Sequence, residues 1–558
     1  MTDQAESRGI LASSAVMATG TVFSRASGYV RNLLLAAAIG NGLHADLFNI
    51  GNTIPNMLYI LLAGGVFNAV LVPQLVRAGK HDPDGGEAYT NRVITLALLF
   101  LGVVTVILVI AAPLVMRLYL NGAYDAPALA AQRDSAIAFA RWCLPQVFFY
   151  GMFALLGQVL NARGRFGPMM WAPIANNAIS IVVLVAYLVF YGALDRADTC
   201  TAYTGGEELL LGGGATLGIA AQVLILLPVL KAAGVRFSPR FDYRGSGLGH
   251  TARLGVWTVL FVIVNQVAYT VVVRLASGGT AEAGCHAQSN ATGYTVYAAA
   301  FLFVMVPHAV ITVSLATAIL PRLSAKASDG DLAGLASTLA GTLRTALVVA
   351  VPFAIGLPLI AYDATKVLFG YGGTATTFDN YVESMVLFGP GIVLFTVHYL
   401  MLRGFYALEL NRTVFYIQCL IAATNIAAAI LLVHGASPAQ TSPALVVAYG
   451  ASYLVGSVTS YAMLRRRLGG LQTPQLVRFL VRLLIAAVVA AGLAWLVGRL
   501  LPGRTDDVSH LLAALRLVVI VGVDVVVFVV VAELMRIREL TNVLDTVLRR
   551  RRGRHLAS

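Results

Sequence analysis

Two arginines, Arg25 and Arg31, interrupt the first membrane-length apolar stretch of the chain, in the run Ser24-Arg25-Ala26-Ser27-Gly28-Tyr29-Val30-Arg31. An arginine at the centre of a membrane helix costs about 2.5–3.5 kcal/mol on insertion scales, so a segment that only had to cross a bilayer would carry neither. The pair calls for a polar cavity, a counter-ion or an anionic ligand. A guanidinium presents a planar fork of donors that matches phosphate oxygens, and both arginines line one cavity if the helix bends at Gly28. The competing role is internal, a pairing with a carboxylate such as Asp46 or with backbone carbonyls.

Other polar residues within the spans also have two readings. Asp46 either closes an outer gate, by pairing with Arg25, Arg31 or another span, or complements the dipole at the start of the second span. Arg274 either meets the anion as it crosses or snorkels to the interface. Arg403 and His308, inside spans ten and eight, line the cavity or act as interhelical donors. Asp524 stands isolated in the last span, without a role.

The elements that position these residues follow from composition. With 558 residues, 58% hydrophobic and only 12% charged, and a mean hydropathy of +0.79, the chain is expected to be an all-α polytopic membrane protein. A helix needs about 20 apolar residues to span the hydrocarbon, and about fourteen such stretches follow one another, the first over 10–38, the second over 46–76 and the last over 511–535. The net charge of +13 does not form a nucleic-acid face, because Lys and Arg fall in alternate loops, as at Arg163 and Arg165, Arg240 and Arg244, Arg465 to Arg467 and Arg549 to Arg552. The intervening loops hold acids such as Asp125, Asp195, Glu207, Glu282 and Asp363. The positive-inside rule then places both termini in the cytoplasm. Met1 to Gly9 lack a basic leader and cleavage site, so the first span is expected to be retained. Cys200 and Cys285 both map to outward loops, where they either form one bridge or remain two unpaired thiols.

Short motifs recur at one spacing. Val72-Pro73-Gln74-Leu75 and Leu320-Pro321-Arg322-Leu323 each end a span before a basic loop, 248 residues apart, and Asn177 and Asn425 are separated by the same 248. Six spans lie between the copies, so both have one orientation, which predicts two six-helix lobes related by a parallel repeat with the substrate site between them. The expected division is an N-terminal lobe over 1–232, a C-terminal lobe over 245–466, a further helix pair over 475–540 and a basic cytoplasmic tail over 541–558. No phosphate loop, Cys-x-x-Cys or His-Glu-x-x-His occurs. Catalytic residues, metal ligands and cofactors are accordingly not expected, and the chain reads as a transporter rather than an enzyme.

The run Phe23-Ser24-Arg25 with Gly28 and Arg31, then Asp46, Pro55-Asn56 and Val72-Pro73, followed by Leu160 to Pro168, Thr317 to Ser324 and Gly404 to Ala407, resembles the MurJ/MviN family of lipid II flippases within the multidrug/oligosaccharidyl-lipid/polysaccharide exporter superfamily. The resemblance implies fourteen helices, two lobes around a cationic cavity, and a last helix pair shaping a groove for a lipid tail. It also implies lipid II, the undecaprenyl-pyrophosphoryl disaccharide-pentapeptide, as the substrate moved to the outer leaflet of the plasma membrane for peptidoglycan synthesis, with membrane lipids and cell-wall synthesis proteins as further partners. Carried over by position, Arg25, Arg31, Asn32 and Asn56 become substrate-binding residues and Asp46 a gate residue. The chain departs from the family pattern where it has Asn32 in place of an acid, and Tyr59 and Leu302 in place of arginines; Arg274 and Arg403 are the second-lobe cations left to share the anion. The alternatives are a flippase for another polyprenyl-linked oligosaccharide, a cation-coupled drug antiporter and a non-transporting scaffold.

Overall fold

A stretch of apolar side chains in a bilayer leaves its backbone no water to bond, so it must satisfy its own N–H and C=O groups, and a helix is the local way to do so. The computed structural model describes residues 20, 23–60, 84, 86–165, 167–194, 201–242, 256–284, 290–502 and 509–541, and among them every regular element is helical. Twelve helices in this set are long and apolar enough to cross a membrane. The protein is a multi-pass membrane protein.

The first described helix, α1, covers residues 23–39 and ends at Gly40, whose φ of 74° is the left-handed conformation that stops a helix most easily at glycine. It is followed by α2 (Leu43–Ile60), α3 (Glu87–Ile110), α4 (Ala112–Tyr119), α5 (Ala130–Cys143), α6 (Gln146–Ala162) and α7 (Gly167–Phe190). Next come α8 (Gly205–Ala232) and α9 (Val256–Ala283), then α10 (Tyr294–Val304) and α11 (His308–Ser328), α12 (Leu332–Phe369) and α13 (Asn380–Ala407). The remaining helices are α14 (Asn411–His434), α15 (Thr441–Arg467), α16 (Thr473–Leu500) and α17 (His510–Leu534).

The helix starts have identifiable caps. Thr204 and Glu207 form a reciprocal capping box at α8, so Glu207 belongs to a helical first turn and not to the expected loop. Asp331 caps α12, and the hydrogen bond from the Gly334 N–H holds its carboxyl below the usual range. On the same physical grounds, the Arg92 guanidinium holds the Asp242 carboxyl low. Large apolar side chains such as Ile107, Val488 and Val518 stay exposed along α3, α16 and α17, as a lipid surrounding permits.

The chain divides into two compact units, Met1–Thr295 with Tyr371–Thr374, and Val296–Gly370 with Ala375–Ser558. In the first, α2 packs on α5 and α6, α7 packs on α8, and α3, α6 and α8 bury a core around Leu101, Leu155, Leu160 and Leu226. Helix α9, which the sequence expectation gives to the C-terminal lobe, packs here on α2 and α4.

In the second unit α15 packs on α13 and α14, while α12 packs on α13 and on both helices of the pair α16 and α17. One ion pair fixes that last contact. Asp363, expected in an outward loop, lies inside α12 at 1% side-chain exposure and meets the Arg516 Nε of α17 at 3.3 Å, with Arg516 only 5% exposed. Length explains the difference: α12 runs for 38 residues, well beyond the apolar core that hydropathy marks.

Candidate functional site

Gly293, the residue before α10, has no side chain to accept hydrogen bonds from the unpaired N–H groups of that helix's first turn. Asp46 of α2 supplies the acceptor instead. Its Oδ1 accepts from the Thr295 N–H at 2.7 Å, and its Oδ2 accepts from the Tyr294 N–H at 3.2 Å and from the Thr280 hydroxyl of α9 at 2.7 Å. The carboxylate is fully buried, and a Cβ added at Gly293 would overlap it. The partners of Asp46 are therefore a hydroxyl and two amides from later helices, rather than Arg25 or Arg31.

Asp46 begins a polar stripe on α2, because residues three or four apart share a helix face. One turn on, Asn49 Nδ2 donates to Thr295 Oγ1 at 3.0 Å. Thr53 and the Tyr294 hydroxyl bond at 2.7 Å, and the carbonyl of Met57 accepts from Gln266. Replacing Asp46 by Asn would turn one acceptor oxygen into a donor facing N–H groups, and the expected loss is about 1–3 kcal/mol of stability. Thermal unfolding of the purified protein checks this: Asp46→Asn and Gly293→Ala should both melt below the parent, and unchanged midpoints would remove the capping role.

The adjoining stripe of α2 opens onto a cavity of about 140 Å³. Its polar lining includes Arg31 and Asn32 from α1, Asn49 and Asn52 from α2, and Gln146 and Tyr150 from α6. Asn176 and Ser180, one turn apart on α7, also line it, and among the described residues no Asp or Glu does. Arg31 Nη2 donates to the side chain of Asn32 at 3.4 Å. Because Asn32 is neutral, this contact orients the guanidinium without cancelling its charge. Neither Arg25 nor Arg31 has a carboxylate within ion-pair distance among the described residues.

The structure separates the two arginines. Helix α1 continues through Gly28, Arg31 lines the cavity, and Arg25 is exposed and outside its lining. Asn177 of α7 holds this part of α1, donating to the Ser24 carbonyl at 2.8 Å and the Ser27 hydroxyl at 2.9 Å. Asn56 is exposed, one turn beyond Asn52 on the cavity stripe. Arg274 of α9 donates to the carbonyls of Arg117 and Leu118 at the end of α4, where a cation complements the helix C-terminus.

In the second unit Arg403 stacks on Tyr399, 4.4 Å from the ring centroid, and its buried Nε has no hydrogen-bond partner among the described residues. His308 bonds Thr396 at 2.9 Å beside the same tyrosine. Asp524 lies on α17 near Gly356 of α12. Cys200 and Cys285 lie outside the described residues. The residues that sequence reasoning missed are the neutral ones, Asn49, Asn52, Gln146 and Asn176. Their signal is present as amides at helical spacing within otherwise apolar spans.

The family model and the curated relatives agree on one family. The family model described as "Lipid II flippase MurJ" matches residues 35–515. The chain is 26% identical over 485 residues to "Lipid II flippase MurJ" of Burkholderia cenocepacia, covering 85% of this chain and 87% of the relative. It is 24% identical over 539 residues to "Probable lipid II flippase MurJ" of Thermotoga maritima, covering 96% and 98%. A solved structure described as "Lipid II flippase MurJ, inward closed conformation" has a TM-score of 0.70 and 16% identity, with 94% of this chain and 100% of that one covered. An inward-facing multidrug resistance MATE family transporter has a TM-score of 0.62 and 16% identity, covering 80% and 95%. Both structural likenesses concern the fold.

Proposed function

The chain belongs to the lipid II flippase MurJ family, and from that premise we propose that it carries lipid II from the cytoplasmic to the outer leaflet of the plasma membrane, for peptidoglycan synthesis. The observation that carries the reading is Arg31, which among the described residues has no carboxylate partner and lies in a polar cavity that no acid lines. Such a group is costly inside a membrane unless an anion uses it. A lipid pyrophosphate supplies oxygens for its fork, while the polyprenyl tail stays in hydrocarbon. Arg25, Asn32, Asn56, Arg274 and Arg403 complete the proposed contacts along the route, and Asp46 is the proposed gate residue.

Transport proceeds by alternating access and breaks no covalent bond, so the protein acts as a carrier and not as an enzyme. A membrane potential, negative inside, favours outward movement of the anion by about 2.3 kcal/mol per charge per 100 mV. Both termini face the cytoplasm, as the basic segments at Arg163 and Arg240 and the basic last turn of α15 at Arg465 to Arg467 favour. The tail lies against α16 and α17, where a cavity of about 490 Å³ is walled by Pro358, Leu359, Trp495 and Ile520.

The test is protein-dependent exposure of a labelled lipid II loaded in the inner leaflet of liposomes, compared with another polyprenyl-pyrophosphoryl oligosaccharide. Faster exposure of lipid II than in protein-free liposomes is expected. Exposure of the other oligosaccharide alone would assign the chain a different lipid-linked glycan, and exposure of neither would overturn the carrier role.

A further inference from the structure

A site that only needed to hold a pyrophosphate would be lined with cations and N–H donors. Among the described residues, the first-unit cavity is lined by one cation, Arg31, and five neutral amides, Asn32, Asn49, Asn52, Gln146 and Asn176. Amide oxygens are poor neighbours for phosphate oxygens, since both are acceptors. A sugar hydroxyl is the reverse case, being donor and acceptor at once, and an amide offers it both functions.

The hydrogen bonds within the cavity wall leave both acceptors and donors unused. Gln146 Nε2 donates to Asn52 Oδ1 at 2.9 Å, which leaves Gln146 Oε1 and the second half of the Asn52 amide, its Nδ2, unused. Asn49 Nδ2 is engaged by Thr295, leaving its Oδ1, and Asn176 Oδ1 accepts from Ser180 at 3.5 Å, leaving its Nδ2. Counting Asn32, whose Oδ1 accepts from Arg31, two carbonyl oxygens and three NH2 groups therefore remain without a protein partner among the described residues, and none of the five is sealed from the cavity. The ring of Tyr150 lies in the same wall, and an aromatic face suits the C–H surface of a sugar. The space of about 140 Å³ is enough to take one sugar ring.

We propose that this cavity is a carbohydrate subsite, in which Asn49, Asn52, Gln146 and Asn176 hydrogen-bond one sugar ring while Arg31 holds the adjacent phosphate. The subsite rests on the carrier reading above and adds to it the group that the cavity recognises. It makes the sugar next to the pyrophosphate, rather than the pyrophosphate alone, the determinant of selectivity in this unit.

The experiment measures binding of two probes to the purified full chain by native mass spectrometry: a polyprenyl pyrophosphate with no sugar and the same lipid bearing a disaccharide. The parent protein should bind the glycosylated lipid at least about 10-fold more tightly, the sum of two or more net hydrogen bonds. Asn52→Ala and Asn176→Ala should each weaken the glycosylated lipid roughly 3- to 10-fold and leave the sugar-free lipid within about 2-fold, which also shows that they fold. Arg31→Ala should weaken both lipids together. Equal affinity of the parent for the two lipids, or equal losses for both in the amide variants, overturns the subsite while leaving the carrier reading intact. A parent that binds neither lipid overturns the carrier reading itself.

Discussion

Arg31→Ala is expected to slow lipid II translocation by about 10²-fold, whereas Arg25→Ala should lose less than about 10-fold. Two charge-assisted hydrogen bonds from one guanidinium to a phosphate contribute about 1.5 kcal/mol each at the lower end, and about 1.4 kcal/mol is a factor of ten. Arg31 has no carboxylate partner among the described residues, so its removal strands no buried acid, and the loss should appear in transport rather than in folding. Arg25 is exposed and does not line the cavity, which is why the two replacements should differ. Arg31→Lys keeps the charge but loses the planar fork, and an intermediate rate is expected. The measurement is initial exposure rate in liposomes with equal amounts of inserted protein. Equal rates for the parent and Arg31→Ala would remove Arg31 from the mechanism.

The largest effect on stability is expected at Asp363. Its side chain is 1% exposed and that of its partner Arg516 is 5% exposed, so Asp363→Ala leaves a guanidinium buried without its counter-charge. Breaking such a pair from one side typically costs about 3–5 kcal/mol. Arg516 also donates to the Pro502 carbonyl, which keeps part of the group satisfied and places the expectation toward the lower figure. Replacing both members, Asp363→Leu with Arg516→Met, should recover most of the loss, because matched apolar groups carry no desolvation penalty. Thermal unfolding of the two proteins beside the parent decides this. A double variant as unstable as Asp363→Ala would mean that packing at α12 and α17, not the charge pair, sets the stability there.

The two arginine sites show how far hydropathy reaches. Each span is legible because membrane burial acts on a local window of about 20 residues, and a charge within such a window is conspicuous at once. Arg31 was visible for that reason. Asn49, Asn52 and Gln146 were not, because a neutral amide costs little in a hydropathy sum and its meaning depends on what faces it. Asp363 was misplaced by the same local measure, since the helix that contains it extends past its apolar core.

The sequence by itself determined the class of protein, an all-helical membrane protein, and the anomaly of arginine within its first span. Those properties are sums over neighbouring residues. Tertiary structure alone decided which arginine meets the cavity and what Asp46 does. Asp46 and Thr295 are 249 positions apart in the chain, and only folding brings the carboxylate to the helix start that lacks a cap of its own. Likewise Asn49, Asn52, Gln146 and Asn176 belong to three helices, and their unused donors and acceptors exist as a set only where those helices pack. Hydrogen-bond partnership is a property of contact, which local sequence cannot specify.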